Sequence, residues 1–313
     1  MSRHGLREVQ HEVTVRAPGA VVYELLAEVV NWPRLFPPTV YVDHLERNGN
    51  EERIRIWATA GGTVKNWTSA RTFDPAGLRI DFRQEIPTPP VAAMGGAWVV
   101  EPLGEHESRV RLLHDFRALD DDPAGLEWID EAVDRNSRAE LAALRTNLEL
   151  AAAEELTFSF VDSVLVDGAA EDVFDFVDQA DRWPERLPHV ASVRLGEEEP
   201  GVQTLEMDTL AGDGTIHTTK SYRVCFPSHR IAYKQVVLPA LLTAHTGCWT
   251  FESHDGGVAA SSQHTVVLNA ESIPRILGVD ATVQDSREYV QNALSTNSRA
   301  TLGYAKDFAE SRR

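Results

Sequence analysis

The chain has 313 residues, 42% of them hydrophobic and 25% charged, which is ordinary for a globular protein and long enough for two domains, each able to bury a core. Its formal net charge of −18 repels nucleic acid and anionic lipid, and no lysine- or arginine-rich run offers either a landing patch. No apolar run is long enough to cross a bilayer, Met1-Ser2-Arg3-His4-Gly5 lacks a signal peptide's apolar core, and two cysteines, Cys225 and Cys248, suggest no disulfide framework, so a reduced, cytoplasmic protein is expected, without nucleic-acid or membrane partners.

In chain order, Val9, His11, Val13 and Val15 alternate with polar residues and predict a half-buried strand. Pro18 suits the first turn of a helix whose apolar stripe is Val21, Val22, Leu25, Leu26 and Val29, closed by Trp32-Pro33. From about 39 to 118 the pattern is strands broken by turn signals such as Asn48-Gly49-Asn50 and Asp74-Pro75-Ala76-Gly77. A long helix then spans about 122–153, burying Ile129, Val133, Leu141, Leu144 and Leu148. The second half repeats this order: a strand over 157–167, a helix over 169–180, strands to about 269 and a long helix over about 281–310. The junction Ala151-Ala152-Ala153-Glu154-Glu155 is not rich in glycine or proline, so the first long helix is expected to run directly into the second domain, with the halves packed together.

The order is repeated because the sequence is. Trp32, Pro33 and Pro37 recur 151 positions later as Trp183, Pro184 and Pro188, and Gly96-Ala97-Trp98 recurs as Gly247-Cys248-Trp249. Later the step lengthens to 161, taking Asn136-Ser137-Arg138-Ala139 to Asn297-Ser298-Arg299-Ala300. The expectation is an α+β chain of two tandem helix-grip domains, 1–153 and 154–313, each a curved antiparallel sheet wrapped around a long C-terminal helix with an internal cavity. Such a cavity suits an elongated, mostly apolar ligand.

The chain contains no P-loop, dinucleotide glycine fingerprint, Gly-x-Ser-x-Gly elbow or His-Glu-x-x-His, and its strand histidines lack metal-site spacing, so no cofactor and no metal are expected. Chemistry must then come from side chains converging in the cavity. Parity over Lys65–Asp74 turns Trp67, Ser69, Arg71 and Phe73 to one face, and the large rings make that face the inner one. An inward arginine either serves a ligand or closes an internal salt bridge. Met94, Gly96 and Trp98 share a face, where Gly96 would let a ligand approach the backbone. His114 faces inward with Val110, Leu112 and Phe116, and recurs as His264; Gln84 faces inward and Arg83 outward. Asn136 either reaches the cavity or bonds helix to sheet. A uniform step of 151 turns Trp67, Ser69 and Arg71 into Thr218, Lys220 and Tyr222, and Gln84, Met94 and Trp98 into Gln235, His245 and Trp249. On that reading the second half lacks the central arginine, and its inward polar set is Lys220, Tyr222, His245 and His264.

The Trp-Pro turn, Trp67-Thr68-Ser69-Ala70-Arg71, Gly96-Ala97-Trp98 and Asn136-Ser137-Arg138, present as an ordered set in two copies, resemble the didomain aromatase/cyclases of bacterial type II polyketide synthases. The resemblance covers nearly the whole chain. It implies a START-like, Bet v 1-like helix-grip fold and a poly-β-ketone substrate delivered on an acyl carrier protein, with ketosynthase, chain-length factor and ketoreductase as further partners. It also implies closure and aromatisation of the first ring, C7 to C12, of a ketoreduced chain. Arg71 would be central, with Ser69 and His114 as catalytic candidates. Trp32, Trp67, Gln84, Met94, Trp98 and Asn136 would hold substrate in the first half, and Trp183, Lys220, Tyr222, His245, Trp249 and His264 in the second. One departure is Thr39, with Val190 in the second half, where single-domain relatives carry a tyrosine. The alternative is a non-catalytic START-like carrier of a lipid or polyketide, and the division of labour between the halves stays open.

Overall fold

In a computed structural model the chain divides into two compact units, Met1–Ala153 and Glu154–Arg313. The structure describes residues 5–150, 156–210, 214–254 and 256–312, so the 151–155 junction lies outside the described residues.

The first unit begins with β1 (Arg7–Val15), α1 (Gly19–Ala27) and the short α2 (Trp32–Leu35). Six strands follow: β2 (Thr39–Asn48), β3 (Glu51–Ala60), β4 (Thr63–Asp74), β5 (Arg79–Ile86), β6 (Val91–Pro102) and β7 (Ser108–Ala118), and α3 (Pro123–Leu150) ends the unit. The seven strands form one antiparallel sheet in the order β1-β7-β6-β5-β4-β3-β2. Consecutive hairpins build this order, and the N-terminal strand pairs with the last. α3 starts where Asp122 accepts from the Gly125 N–H at 2.8 Å, satisfying a donor the helix leaves free, with Pro123 as its first residue. Ile129, Val133, Leu141, Leu144 and Leu148 recur at helical spacing and are buried beneath the sheet, as the periodicity predicts. The Trp-Pro turn is more than an end to the first helix. α1 stops at Ala27, and Trp32-Pro33 opens α2, where a proline without an N–H costs no hydrogen bond.

The second unit repeats the plan with β8 (Thr157–Val166), α4 (Ala170–Asp178) and α5 (Trp183–Arg186), and the strands β9 (Val190–Glu199), β10 (Val202–Leu210), β11 (Ile216–Phe226), β12 (Arg230–Val237), β13 (Leu242–His254) and β14 (Gly257–Leu268). Its sheet order is β8-β14-β13-β12-β11-β10-β9. Here α6 (Ile273–Leu277) is inserted before the last helix, α7 (Val283–Glu310). The strand-to-helix connection that runs from Ala118 to Pro123 in the first unit runs from Leu268 to Val283 here, which is why the repeat step lengthens. Both units are helix grips: a sheet curled over one long C-terminal helix.

Candidate active site

The first unit encloses a cavity of 160 Å³ between its sheet and α3. Trp32, Trp67 and Met94 wall it, and Thr88, Pro89 and the partly exposed Trp128 stand at its mouth. Trp128 packs over Gly61, where a Cβ would come within 3.2 Å of its ring. Of the candidates in this half, Trp32, Trp67, Gln84, Met94, His114 and Asn136 line the cavity. Two of them bring unsatisfied polar atoms. His114 Nδ1 and Gln84 Oε1 are buried and have no hydrogen-bond partner among the described residues. The Gln84 amide nitrogen contacts Met94 Sδ at 3.5 Å, and the His114 ring meets the Phe82 ring edge-on. Burial pushes His114 down to about 4, with His11 adding a smaller effect in the same direction, so its imidazole is neutral at neutral pH. Asn136 bonds helix to sheet, donating to the Thr59 carbonyl at 3.2 Å, and its side chain also borders the cavity.

Arg71, Ser69 and Trp98 face inward as parity predicts, but none of them lines this cavity. Arg71 is 2% exposed and spent on the fold. Its guanidinium pairs with Glu52 at 2.7 Å and donates to the Leu26 and Ala27 carbonyls at 3.0 and 3.2 Å. It therefore caps the C-terminal end of α1, where carbonyls lack helical partners. The rings of Trp32 and Phe73 lie 5.0 and 4.8 Å from it. Burial lowers Arg71 to about 10, with Glu52 opposing, so it stays charged at neutral pH. Ser69 donates to the Arg83 carbonyl at 3.2 Å, and Trp98 stacks on Phe36. Arg83 points outward as expected, to Asp115. The ion-pair reading of the inward arginine is the one the geometry supports.

The second unit corrects the uniform step. Arg223 donates to the Val177 and Asp178 carbonyls at 2.7 and 3.4 Å and lies 5.5 Å from the Trp183 ring, so it is the counterpart of Arg71. The match is Ser69-Ala70-Arg71 with Ser221-Tyr222-Arg223, a step of 152. The register shows why: Glu52 pairs with Arg71, while Gln203 pairs with Arg223, so the β10–β11 hairpin is one residue longer than its counterpart. The β11–β12 turn is one residue shorter, which restores the step at Phe82 and Tyr233. The slip turns Lys220 and Tyr222 to the outer face, since one residue reverses a strand's parity. Lys220 makes an ion pair with Glu206 at 3.0 Å, and Tyr222 is half-buried beside it. Trp183 and Trp249 are buried in the core. His245 and His264 face inward as expected, and Tyr233, which the sequence reading passed over, joins them. Its signal was available, because Phe82 sits between outward Arg83 and Asp81.

The glycines of the Gly-x-Trp motif serve packing and not a ligand. Gly96 lies beside Phe82 and Gly247 beside Tyr233 on the neighbouring strand. A Cβ on Gly96 would come within 2.8 Å of the Phe82 ring, and one on Gly247 within 2.3 Å of the Tyr233 hydroxyl. Each glycine makes room for the aromatic ring across from it.

Residues 7–149 match the family model described as polyketide cyclase / dehydrase and lipid transport, and residues 166–288 match a second model of the same description. The chain is 57% identical to the granaticin polyketide synthase bifunctional cyclase/dehydratase of Streptomyces virginiae, over 94% of this chain and 97% of that one. It is 45% identical to the actinorhodin polyketide synthase bifunctional cyclase/dehydratase of Streptomyces coelicolor, over 97% and 98%. Among solved structures, the di-domain ARO/CYC BexL from the BE-7585A biosynthetic pathway matches with a TM-score of 0.90 and 62% identity, covering 98% of this chain and all of that one. The di-domain ARO/CYC StfQ from the steffimycin biosynthetic pathway matches with a TM-score of 0.87 and 35% identity, covering 97% and 99%.

Proposed function

Because this chain belongs to the polyketide cyclase/dehydratase family, with one such domain in each half, we propose that it closes and aromatises the first ring, C7 to C12, of a ketoreduced poly-β-ketone. The chain would arrive on an acyl carrier protein in the cytoplasm, after a ketosynthase with its chain-length factor has built it and a ketoreductase has reduced it. The observation that carries the reading is the first unit's cavity. A dry cavity of about 150 Å³ is known to hold one benzene. At 160 Å³ this one suits a single six-membered ring as it forms, not a whole extended chain. Its walls are aromatic, and His114, Gln84 and Asn136 add polar side chains to its lining for groups a polyketide carries.

Aldol closure needs a methylene deprotonated and a carbonyl polarised. Neutral His114, whose side chain lines the cavity, takes the methylene proton and then returns it to the new alkoxide. The Gln84 amide hydrogen-bonds an enol or hydroxyl at the cavity lining, and the Asn136 N–H not bonded to Thr59 donates to the attacked carbonyl. Trp32, Trp67 and Met94 restrict the fold of the chain, so that one carbon pair meets. Arg71, Ser69 and Trp98 act at one remove: Arg71 fixes the end of α1 and one face of Trp32, and thereby the cavity wall.

Reconstitution with ketosynthase, chain-length factor, carrier protein and ketoreductase tests the proposal. A folded His114→Leu chain should form first-ring product about 10²–10⁴-fold more slowly. Wild-type rates from that variant would overturn the role of His114. Identical products with and without the chain would overturn the reaction.

A further inference from the structure

The second unit carries a hydrogen-bonded cluster that the ring-closing site does not use. His245 Nε2 lies 3.0 Å from His264 Nδ1, and the Tyr233 hydroxyl lies 3.4 and 2.9 Å from the same two nitrogens. On the far sides, His245 Nδ1 is 2.9 Å from Gln235 Oε1, and His264 Nε2 is 2.7 Å from Ser298 Oγ and 3.1 Å from Ser262 Oγ. Ser298 passes its own proton to the Leu294 carbonyl at 2.8 Å, so the His264 Nε2 proton goes to Ser298 and Nδ1 is left with a lone pair. The Gln235 oxygen likewise holds the His245 proton on Nδ1. Two lone pairs then face each other, and the Tyr233 O–H is the donor poised between them. The cluster can hold one more proton than it has.

The first unit shows what was changed to build it. Phe82, Gly96 and His114 lie side by side on β5, β6 and β7, as Tyr233, Gly247 and His264 do on β12, β13 and β14. Where the first unit has Phe82, Met94 and Leu112 around one histidine, the second has Tyr233, His245 and Ser262. Burial holds His245 at about 3 and His264 at about 4 and raises Tyr233, so all three are neutral at neutral pH. Tyr233 is half-buried and packs against the second unit's core, as Met207 does, and the Phe160 ring stacks on His264.

We propose that the second unit is a separate dehydration centre, in which Tyr233 is the catalytic acid and base for loss of water from a cyclic β-hydroxyketone, and His264 and His245 are positioning residues that relay its proton. The inference rests on the family reading above for its substrate class. The α-proton arrives at the Tyr233 oxygen as the phenolic proton leaves for His264 Nδ1, giving an enolate beside an imidazolium. The enolate pair then forms the C=C bond, the C–O bond breaks, and the leaving oxygen takes the Tyr233 proton and departs as water. His264 returns its proton to Tyr233. Substrate loses one hydroxyl and one hydrogen, and the protein is unchanged.

The test uses the full chain and a free probe, hydroxytetralone, a bicyclic β-hydroxyketone that becomes fluorescent naphthol on losing water. It requires no carrier protein and no ring closure, so failure of the ring-closing proposal and failure of this one are distinguishable. Tyr233→Phe and His245→Met install the residues that the first unit holds at the same places, so folding should survive, as circular dichroism would check. Expected are naphthol release by the wild type, a loss of at least about tenfold in Tyr233→Phe, and a lower kcat at unchanged KM in His245→Met. Equal release by wild type and Tyr233→Phe, or release by wild type no faster than in buffer, overturns the proposal.

Discussion

Replacing Arg71 by methionine separates a structural arginine from a catalytic one. The substitution keeps much of the side chain's length and removes its charge. In the native unit the Arg71 and Glu52 side chains are 1% and 0% exposed and lie 2.7 Å apart. Without the guanidinium, Glu52 keeps only the longer contacts of its Oε2 to His44 and Arg47, at 3.5 and 3.9 Å, the Ala27 carbonyl loses its donor, the Leu26 carbonyl keeps only the Trp32 indole N–H, and Trp32 loses the cation against its face. Breaking a buried pair from one side costs about 3–5 kcal/mol, and the lower end applies here because His44 and Arg47 still face the Glu52 carboxylate. For a unit of this size that lowers its melting temperature by about 10 °C. Adding Glu52→Gln should recover much of the loss, since replacing both partners of a buried pair is often close to neutral. The second unit already has glutamine there, with Gln203 donating to Asp178 at 3.1 Å. The assay is thermal and guanidinium unfolding of the full chain, followed by tryptophan fluorescence, with ring closure measured alongside. A methionine variant that melts with the wild type yet closes no ring would refute this reasoning and return Arg71 to the substrate.

Stability should fall with acid. His114, His245 and His264 are held at about 4, 3 and 4, below their ordinary value, so the unfolded chain binds their protons first. Their contribution is present above about pH 6.5 and is lost as pH falls toward 4, at about 2 kcal/mol per histidine between pH 7 and 5. Denaturant midpoints across that range check it, and a flat profile would contradict it. Gly96→Ala should destabilise the first unit by about 3 kcal/mol or more, because the new Cβ would sit 1.9 Å from the Leu113 carbonyl oxygen, where backbone must move. A fall of less than about 1 kcal/mol in urea titration would show that the sheet can yield there.

Much of this architecture is legible in one sequence because it is periodic or repeated. Period two put Trp67, Ser69, Arg71 and Phe73 on the inner face, and helical spacing found the buried side of α3. The Trp-Pro turn and the Gly-x-Trp motif aligned the halves. Partners were not legible. Glu52 satisfies Arg71 across a hairpin, and nothing in the local pattern of β3 singles out one glutamate among Glu51, Glu52 and the nearby acids. Hairpin lengths have no period either, so a uniform step slid Arg223 out of view and placed Lys220 and Tyr222 inside. Tyr233 was within reach, since its counterpart Phe82 has unambiguous parity, but an aromatic at such a place reads as core until its hydroxyl is seen against two imidazoles.

The arginine clamp at the end of α1, and again at the end of α4, has an implication for how such a chain can diversify. It secures the helix and the tryptophan from behind, using two helix-end carbonyls and the tryptophan's ring face, with Glu52 added in the first unit, and asks nothing of the cavity interior. The inner face of the sheet is thereby left free to vary. In these two units three exchanges on neighbouring strands separate an aromatic vessel from a proton relay, while backbone pairing stays in place around them. Grafting Tyr, His and Ser at positions 82, 94 and 112 of the first unit would therefore be a transplant of chemistry, not of fold.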